Sequence, residues 1–244
     1  MSRPPQPGDC VHCGKYFRVL TWDHVFPKSW YPDTTPNNLQ KWEIPSCKQC
    51  NKDYGRLEED LLVRLGLCID PKDYKSAGIS EKALRALNPD FAKNNKDRRL
   101  REAKRNKILR EAWQGDQIPR EGMFPNFDKP TGWTSEPPVA IGIRADSVDK
   151  LAVKIVKGIT YLEDGKVIKE PYRVQSFVLK DGDAQPIIFA LLKFGKIYAR
   201  EPGITVFRAV ANDDPNTAVC SIEIWGRIKL YAHVGTKETQ QLTD

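Results

Sequence analysis

No apolar run in this chain approaches the ~20 residues needed to cross a bilayer, and the mean hydropathy is −0.55. Both features exclude an integral membrane protein of the helical kind. The opening residues Met-Ser-Arg-Pro-Pro-Gln-Pro lack the hydrophobic core of a secretory signal, so the expected compartment is the cytoplasm. Cysteine is sparse, six in 244 residues, too few for a disulfide-built scaffold. In a reducing compartment, paired cysteines at metal spacing read as ligands rather than disulfides. Only three histidines are present. Residues 138–244 offer no constellation of titratable groups that reads as a site. His233 there, in an apolar strand context, reads as structural. Cys68 and Cys220, each between apolar neighbours, read as buried thiols.

What is present is concentrated near the N-terminus. Four cysteines form two Cys-x-x-Cys pairs, Cys10/Cys13 and Cys47/Cys50, with 33 residues between Cys13 and Cys47. Two such pairs offer four thiolates for a tetrahedral Zn²⁺, and His12 is not needed to complete the set. The long insertion holds Asp23-His24 and Asn38, and Asn51 follows the last cysteine. Tyr16–Trp22 is aromatic and β-branched, which predicts a strand ending near Asp23-His24. Pro27, Pro32 and Pro36 predict a loop. A second strand is expected at Gln40–Ile44, closed by Pro45. Tyr54, Leu57, Leu61 and Leu65 then recur at helical spacing.

The formal net charge of +7 is uneven: 23 Lys and Arg stand against 17 Asp and Glu up to Gly122, and 16 against 15 beyond. Any polyanion affinity therefore belongs mainly to the first half. Ser80–Leu87 reads as a helix capped by Ser80, and Asp97–Trp113 as a longer basic one. Arg98, Arg101 and Arg105, with their neighbouring cations, could lie along a phosphate backbone; a solvated helix on a bundle edge is the other reading. Gln114–Pro138 reads as a linker. Further on, Val148 to Val156 form a helical stripe ended by Gly158. A hairpin is expected around Asp164-Gly165. Strands are expected at Tyr172–Leu179, Ile187–Leu192, Ile204–Ala211 and Ser221–Val234, the last two able to pair across the turn at 212–216.

The run Cys-x-x-Cys, Asp-His-Val-x-Pro-Lys-Ser, Asn-Leu, Cys-x-x-Cys-Asn-Lys resembles the HNH endonucleases of bacteria, over about residues 10–62. One departure is that Asn51-Lys-Asp-Tyr-Gly55 stands where the family often has Lys-Gly soon after the last Asn. The resemblance implies a ββα-metal core with a structural Zn²⁺ on Cys10, Cys13, Cys47 and Cys50. It implies His24 as general base, Asp23 and Asn51 as ligands of a catalytic Mg²⁺ or Mn²⁺, and Asn38 holding the His24 loop by hydrogen bonds. Lys28, Lys52 and Arg56 are candidate phosphate contacts. The segment Lys154-Ile-Val-Lys-Gly-Ile-Thr-Tyr161 is similar to one that accompanies such cores and carries no function of its own.

The expectation is an α+β chain in three parts. Residues 1–66 form the nuclease core, 67–137 a basic helical connector and linker, and 138–244 an α+β domain with a mostly antiparallel sheet. That last part would serve targeting, partner binding or dimerisation. The expected activity is hydrolysis of phosphodiesters in DNA, double-stranded above all. Two other readings stand beside it: a zinc-stapled nucleic-acid-binding module without catalysis, and the nuclease subunit of a restriction or phage-defence system that needs its partners.

Overall fold

The computed structural model describes residues 4–119, 123–124, 139–180 and 182–236. The first Cys-x-x-Cys pair sits in the turn between β1 (Gly8–Asp9) and β2 (Tyr16–Phe17), a two-stranded ladder. Next, β3 (Thr21–His24) pairs antiparallel with β4 (Glu43–Ser46), setting Asp23 opposite Ile44 and His24 opposite Glu43. The single strand expected over 16–22 is thus two short ones. The second strand runs through Pro45 instead of stopping at it. A two-stranded ladder tolerates a residue that has no N–H to give, and the Pro45 carbonyl is used, accepting from the Val11 amide at 3.1 Å.

The proline-rich loop between β3 and β4 turns inward. Phe26, Trp30 and Tyr31 are buried. The Trp30 ring packs 5.1 Å from Trp225, whose indole N–H donates to the Trp30 carbonyl at 2.8 Å. The helix read from residue 54 onward is α1 (Lys48–Gly66), capped by the Cys47 sulfur and buried along Leu61 and Leu65. In α2 (Ile79–Leu87) the cap is Gly78, at φ +77°, not Ser80. A Cβ on Gly78 would fall 2.0 Å from Asp33 Oδ2, and the Ser80 hydroxyl instead donates to the Gly66 carbonyl. Helix α3 (Asn95–Arg110) buries only Ile108, as expected of so basic a stretch. It ends before Trp113, which lies in β5 (Ala112–Gln114), paired with β6 (Val139–Ile141). Most of the Gln114–Pro138 linker lies outside the described residues.

The largest departure is α4 (Ala145–Asp164), which runs straight through Gly158 and is capped by Gly165 at φ +65°. The hairpin expected around Asp164-Gly165 is therefore the end of this helix. Gly158 serves close approach: a Cβ there would meet the two Val25 methyls at 2.6 and 2.7 Å. Gly158→Ala should accordingly destabilise the protein by about 2 kcal/mol through overpacking, although alanine improves helix propensity by about 1 kcal/mol. Adding Val25→Ala should restore much of the loss. Urea unfolding of both variants checks this, and an unchanged midpoint for the single variant would refute the close-packing explanation.

The chain then forms β7 (Arg173–Phe177), α5 (Gln185–Phe194), β8 (Lys196–Arg200), β9 (Ile204–Val210), β10 (Ala218–Ile224) and β11 (Ile228–Gly235). The strands make one antiparallel sheet in the order β7-β11-β10-β9-β8. Expectation fails at Ile187–Leu192, which is helical, since a short apolar run carries no decisive period and Pro186 opens the helix. The pairing across the 212–216 turn holds, between β9 and β10, but the single strand expected over Ser221–Val234 is two, β10 and β11, folded back on each other at Trp225-Gly226, both at positive φ.

The fold is thus α+β. Helix α4 packs on α1 and β4 as well as on β7 and β11. One apolar core runs from Val11, Val25 and Leu61 through Leu151 and Ile155 to Ile222 and Val234, so the three sequence segments share it. Cys220 is fully buried, whereas Cys68, expected to be buried too, is only half-buried; burial pushes their thiols up to about 12 and about 11. His233 lies in β11 between Val219 and Gln175. Among the described residues no helix is long and apolar enough to cross a membrane.

Candidate metal centre and adjoining polar pocket

The four sulfurs of Cys10, Cys13, Cys47 and Cys50 lie within 4.8 Å of one another. A tetrahedral site with Zn–S bonds of ~2.3 Å needs sulfurs about 3.8 Å apart, so this group could hold such an ion with little adjustment. Backbone amides already serve the sulfurs: Cys47 N–H donates to Cys10 Sγ at 3.3 Å, and Cys50 N–H to Cys47 Sγ at 3.4 Å. Burial would raise the Cys10 thiol, but the amides of Cys47, Cys13 and His12 outweigh it and lower the pKa to about 7. Burial pushes Cys13 and Cys50 the other way, helped by the neighbouring sulfurs. Four thiolates this close need a cation between them.

The four-cysteine group adjoins a second set of residues. Asn51, in the first turn of α1, spends its two amide N–H bonds on Thr21 Oγ1 and the Trp22 carbonyl, both at 3.1 Å. Its carbonyl oxygen is what it can still offer. A pocket of about 590 Å³ is lined by Asp23, His24, Lys28, Ser29, Asn51, Glu58 and Lys82. Strand β3, the start of the following loop, α1 and α2 thus meet around one cavity.

Asp23 is only 7% exposed. Its Oδ2 lies 2.7 Å from His12 Nε2, and its Oδ1 accepts from the Lys154 ammonium at 3.2 Å. Burial works against the charge on Asp23, yet His12 and Lys154 overcome it and hold the carboxyl below its usual range. A carboxylate has about four lone-pair sites, so each Asp23 oxygen keeps capacity for a further partner. Lys154 also hydrogen-bonds Glu58, whose carboxyl burial pushes above its usual range. The His12 ring lies 4.5 Å from that of Tyr54, and burial lowers its pKa despite Asp23.

His24 is 27% exposed at its side chain, with Nε2 3.4 Å from Glu43 Oε1. Burial lowers its pKa in spite of Glu43 and Asp23, which favours the neutral ring. A proton on Nε2 facing Glu43 leaves Nδ1 as the basic nitrogen.

Of the residues singled out on the sequence, Asp23, His24, Asn51 and Lys28 meet at the pocket, beside the four-cysteine centre. Asn38 does not: it is exposed in the loop, and no hydrogen bond joins it to His24 among the described residues. The loop after His24 is instead tied by the Val25 amide to the Trp42 carbonyl. Lys52 and Arg56 are exposed on α1 away from the pocket lining. Arg98 and Arg105 are exposed on α3, whereas Arg101 is half-buried against Asp97 and the Arg85 carbonyl.

Three participants were missed. Glu58 follows Asn51 by seven residues, two turns along the same helix face, so its spacing was a usable signal. His12, set between Cys10 and Cys13, reads on the sequence only as a spare zinc ligand. Lys154, from the far half of the chain, opens the segment Lys154–Tyr161 whose likeness to one accompanying such cores carries no function, and nothing in its spacing ties it to Asp23. Comparison with protein-family models, characterised proteins and solved structures finds no match to this chain.

Proposed function

We propose that the chain is a metal-dependent endonuclease of the HNH kind that hydrolyses phosphodiester bonds in DNA. The observation that carries this reading is the meeting of Asp23, His24, Asn51 and Glu58 at one open pocket. A hairpin and a helix start fixed by the four-cysteine group hold them there. A zinc-stapled binding module has no need of a neutral imidazole beside buried carboxylates.

By type the donors suit a hard divalent cation. Asp23 and Glu58 offer carboxylate oxygens and Asn51 an amide oxygen, the ligand types that suit Mg²⁺ or Mn²⁺. Zn²⁺ suits the thiolates of Cys10, Cys13, Cys47 and Cys50. The hard ion, when bound, stabilises charge on the phosphate and the leaving oxygen. The remaining work falls to the chain. His24 takes the proton of the attacking water at Nδ1 while Glu43 holds Nε2. His12 keeps Asp23 ionised and fixed. Lys28 and Lys82, on the same pocket, offer positive charge to the phosphate, and the exposed cations of α3 extend the basic surface over which a duplex could lie.

The test is conversion of supercoiled plasmid to nicked or linear form by the purified chain in Mg²⁺ or Mn²⁺, with EDTA and structured RNA as comparisons. Ion-dependent cutting of DNA is expected. Cutting that persists in EDTA, or cutting of RNA alone, would overturn the mechanism or the substrate class respectively.

A further inference from the structure

Beside the pocket lies a buried charge that takes no part in the hydrolysis. Lys154 is fully buried, 0% exposed, and reaches from α4 to two of the residues that line the pocket, Asp23 and Glu58. Its ammonium lies 3.2 Å from Asp23 Oδ1, hydrogen-bonds Glu58 and stands 5.3 Å from the centre of the Tyr54 ring. One turn on, Lys157 donates to the His12 carbonyl at 2.6 Å, and His12 holds the other Asp23 oxygen. Gly158 lets α4 press against Val25, two residues past Asp23. The helix is thus locked to the site at three points, and the ammonium is at its centre.

A buried ammonium is costly unless paired, and so are two neighbouring carboxylates without a cation. Each solves the other's problem. The same two carboxylates are the hard anionic donors available to a divalent ion. An added cation must therefore share them with a positive charge that cannot diffuse away.

We infer that Lys154 is a tethered counter-cation that competes with the divalent ion for Asp23 and Glu58, so that α4 sets how readily the site takes up its ion. It is a positioning residue: it touches neither the scissile phosphate nor the water. It keeps the two carboxylates in place when the ion is absent and weakens ion binding by its charge. This rests on the reading that Asp23, Glu58 and Asn51 hold a divalent ion.

Mn²⁺ binding to the full-length, zinc-loaded chain tests it, followed by calorimetry and by the electron paramagnetic resonance of free Mn²⁺. Lys154→Met should bind Mn²⁺ roughly 10- to 100-fold more tightly than wild type, from the removal of one close positive charge. Lys154→Arg, which keeps the charge, should show no such gain. Asp23→Asn added to Lys154→Met should abolish it. Equal or weaker binding by folded Lys154→Met overturns the inference; the ion site still stands in that case if Asp23→Asn alone abolishes Mn²⁺ binding by the otherwise wild-type chain. Absence of Mn²⁺ binding in every form overturns the site reading and the inference together.

Should Lys154→Met fail to fold, the wild-type protein carries a second test. The ¹⁵N resonance of the Lys154 ammonium, identified by its loss in Lys154→Arg, should shift on addition of Mg²⁺. An unmoved resonance at saturating Mg²⁺ overturns the inference.

Discussion

Replacing His24 with alanine should lower divalent-dependent plasmid cleavage by roughly 10²- to 10⁴-fold, the usual contribution of a positioned general base, while leaving the fold in place. The side chain stands at the pocket mouth, partly exposed and outside the apolar core, so its removal opens no cavity in that core. What is lost is a neutral imidazole. Burial lowers its pKa against the pull of Glu43 and Asp23 and so favours the uncharged ring, and Glu43 stands opposite it in the β3–β4 register, 3.4 Å from Nε2. Glu43→Gln should therefore cost activity less than His24→Ala, since it loosens the base without deleting it. The check is the initial nicking rate in saturating Mn²⁺, beside the zinc content and urea midpoint of each variant. Equal rates for wild type and His24→Ala would remove His24 from the mechanism.

Loss of the thiolate-bound metal should damage stability more than any single side-chain change near the pocket. Structural zinc contributes about 10–16 kcal/mol to small finger peptides. Here part of the fold stands on the α4 and sheet core, so a loss on the order of 5 kcal/mol is expected for Cys47→Ser. In a chain of this size that corresponds to a fall in Tm of about 10–20 °C. Three threads run from the cysteines: Asn51 follows Cys50 in sequence, Cys47 caps α1, and His12, between Cys10 and Cys13, holds Asp23. Zinc analysis should give one equivalent for wild type and much less for Cys47→Ser. Thermal melts that coincide, with and without the bound metal, would show that the four-cysteine group is not a structural centre.

The parts of this molecule legible in the sequence are those made by neighbours along the chain. The two Cys-x-x-Cys turns, the Asp23-His24 strand end and the α1 stripe are local patterns, and all three stand where the spacing put them. The failures share a different cause. Gly158 looks like a helix stop because glycine is a poor helix former, and only the distant Val25 shows why it sits inside one. Ile187–Leu192 has no readable period, and its helical state follows from Pro186 and from packing beside β9 and β10. Asn38 was placed by likeness, whereas the Trp42 carbonyl does the tying. Lys154 and His12 could not be joined to Asp23 by any rule of spacing, since pairing of buried charges is settled in three dimensions.

The docking of α4 also bears on the order of events during synthesis. Lys154 follows Asp23 by 131 residues. At ~5–20 residues per second, the ribosome would present Asp23 and His24 about 7–26 seconds before the cation that balances them. During that interval Asp23 and Glu58 would lack their counter-charge, and the apolar face of α1 would lack α4. Such a long-range closure is slow to form. A chain released early, short of residue 154, would keep the four clustered cysteines and the Asp-His pair yet lack the helix that completes their surroundings. Amide exchange on a fragment ending at residue 118, compared with the full chain, should then show weak protection at Asp23–Val25. Full protection there would mean that the hairpin completes itself without its distant half.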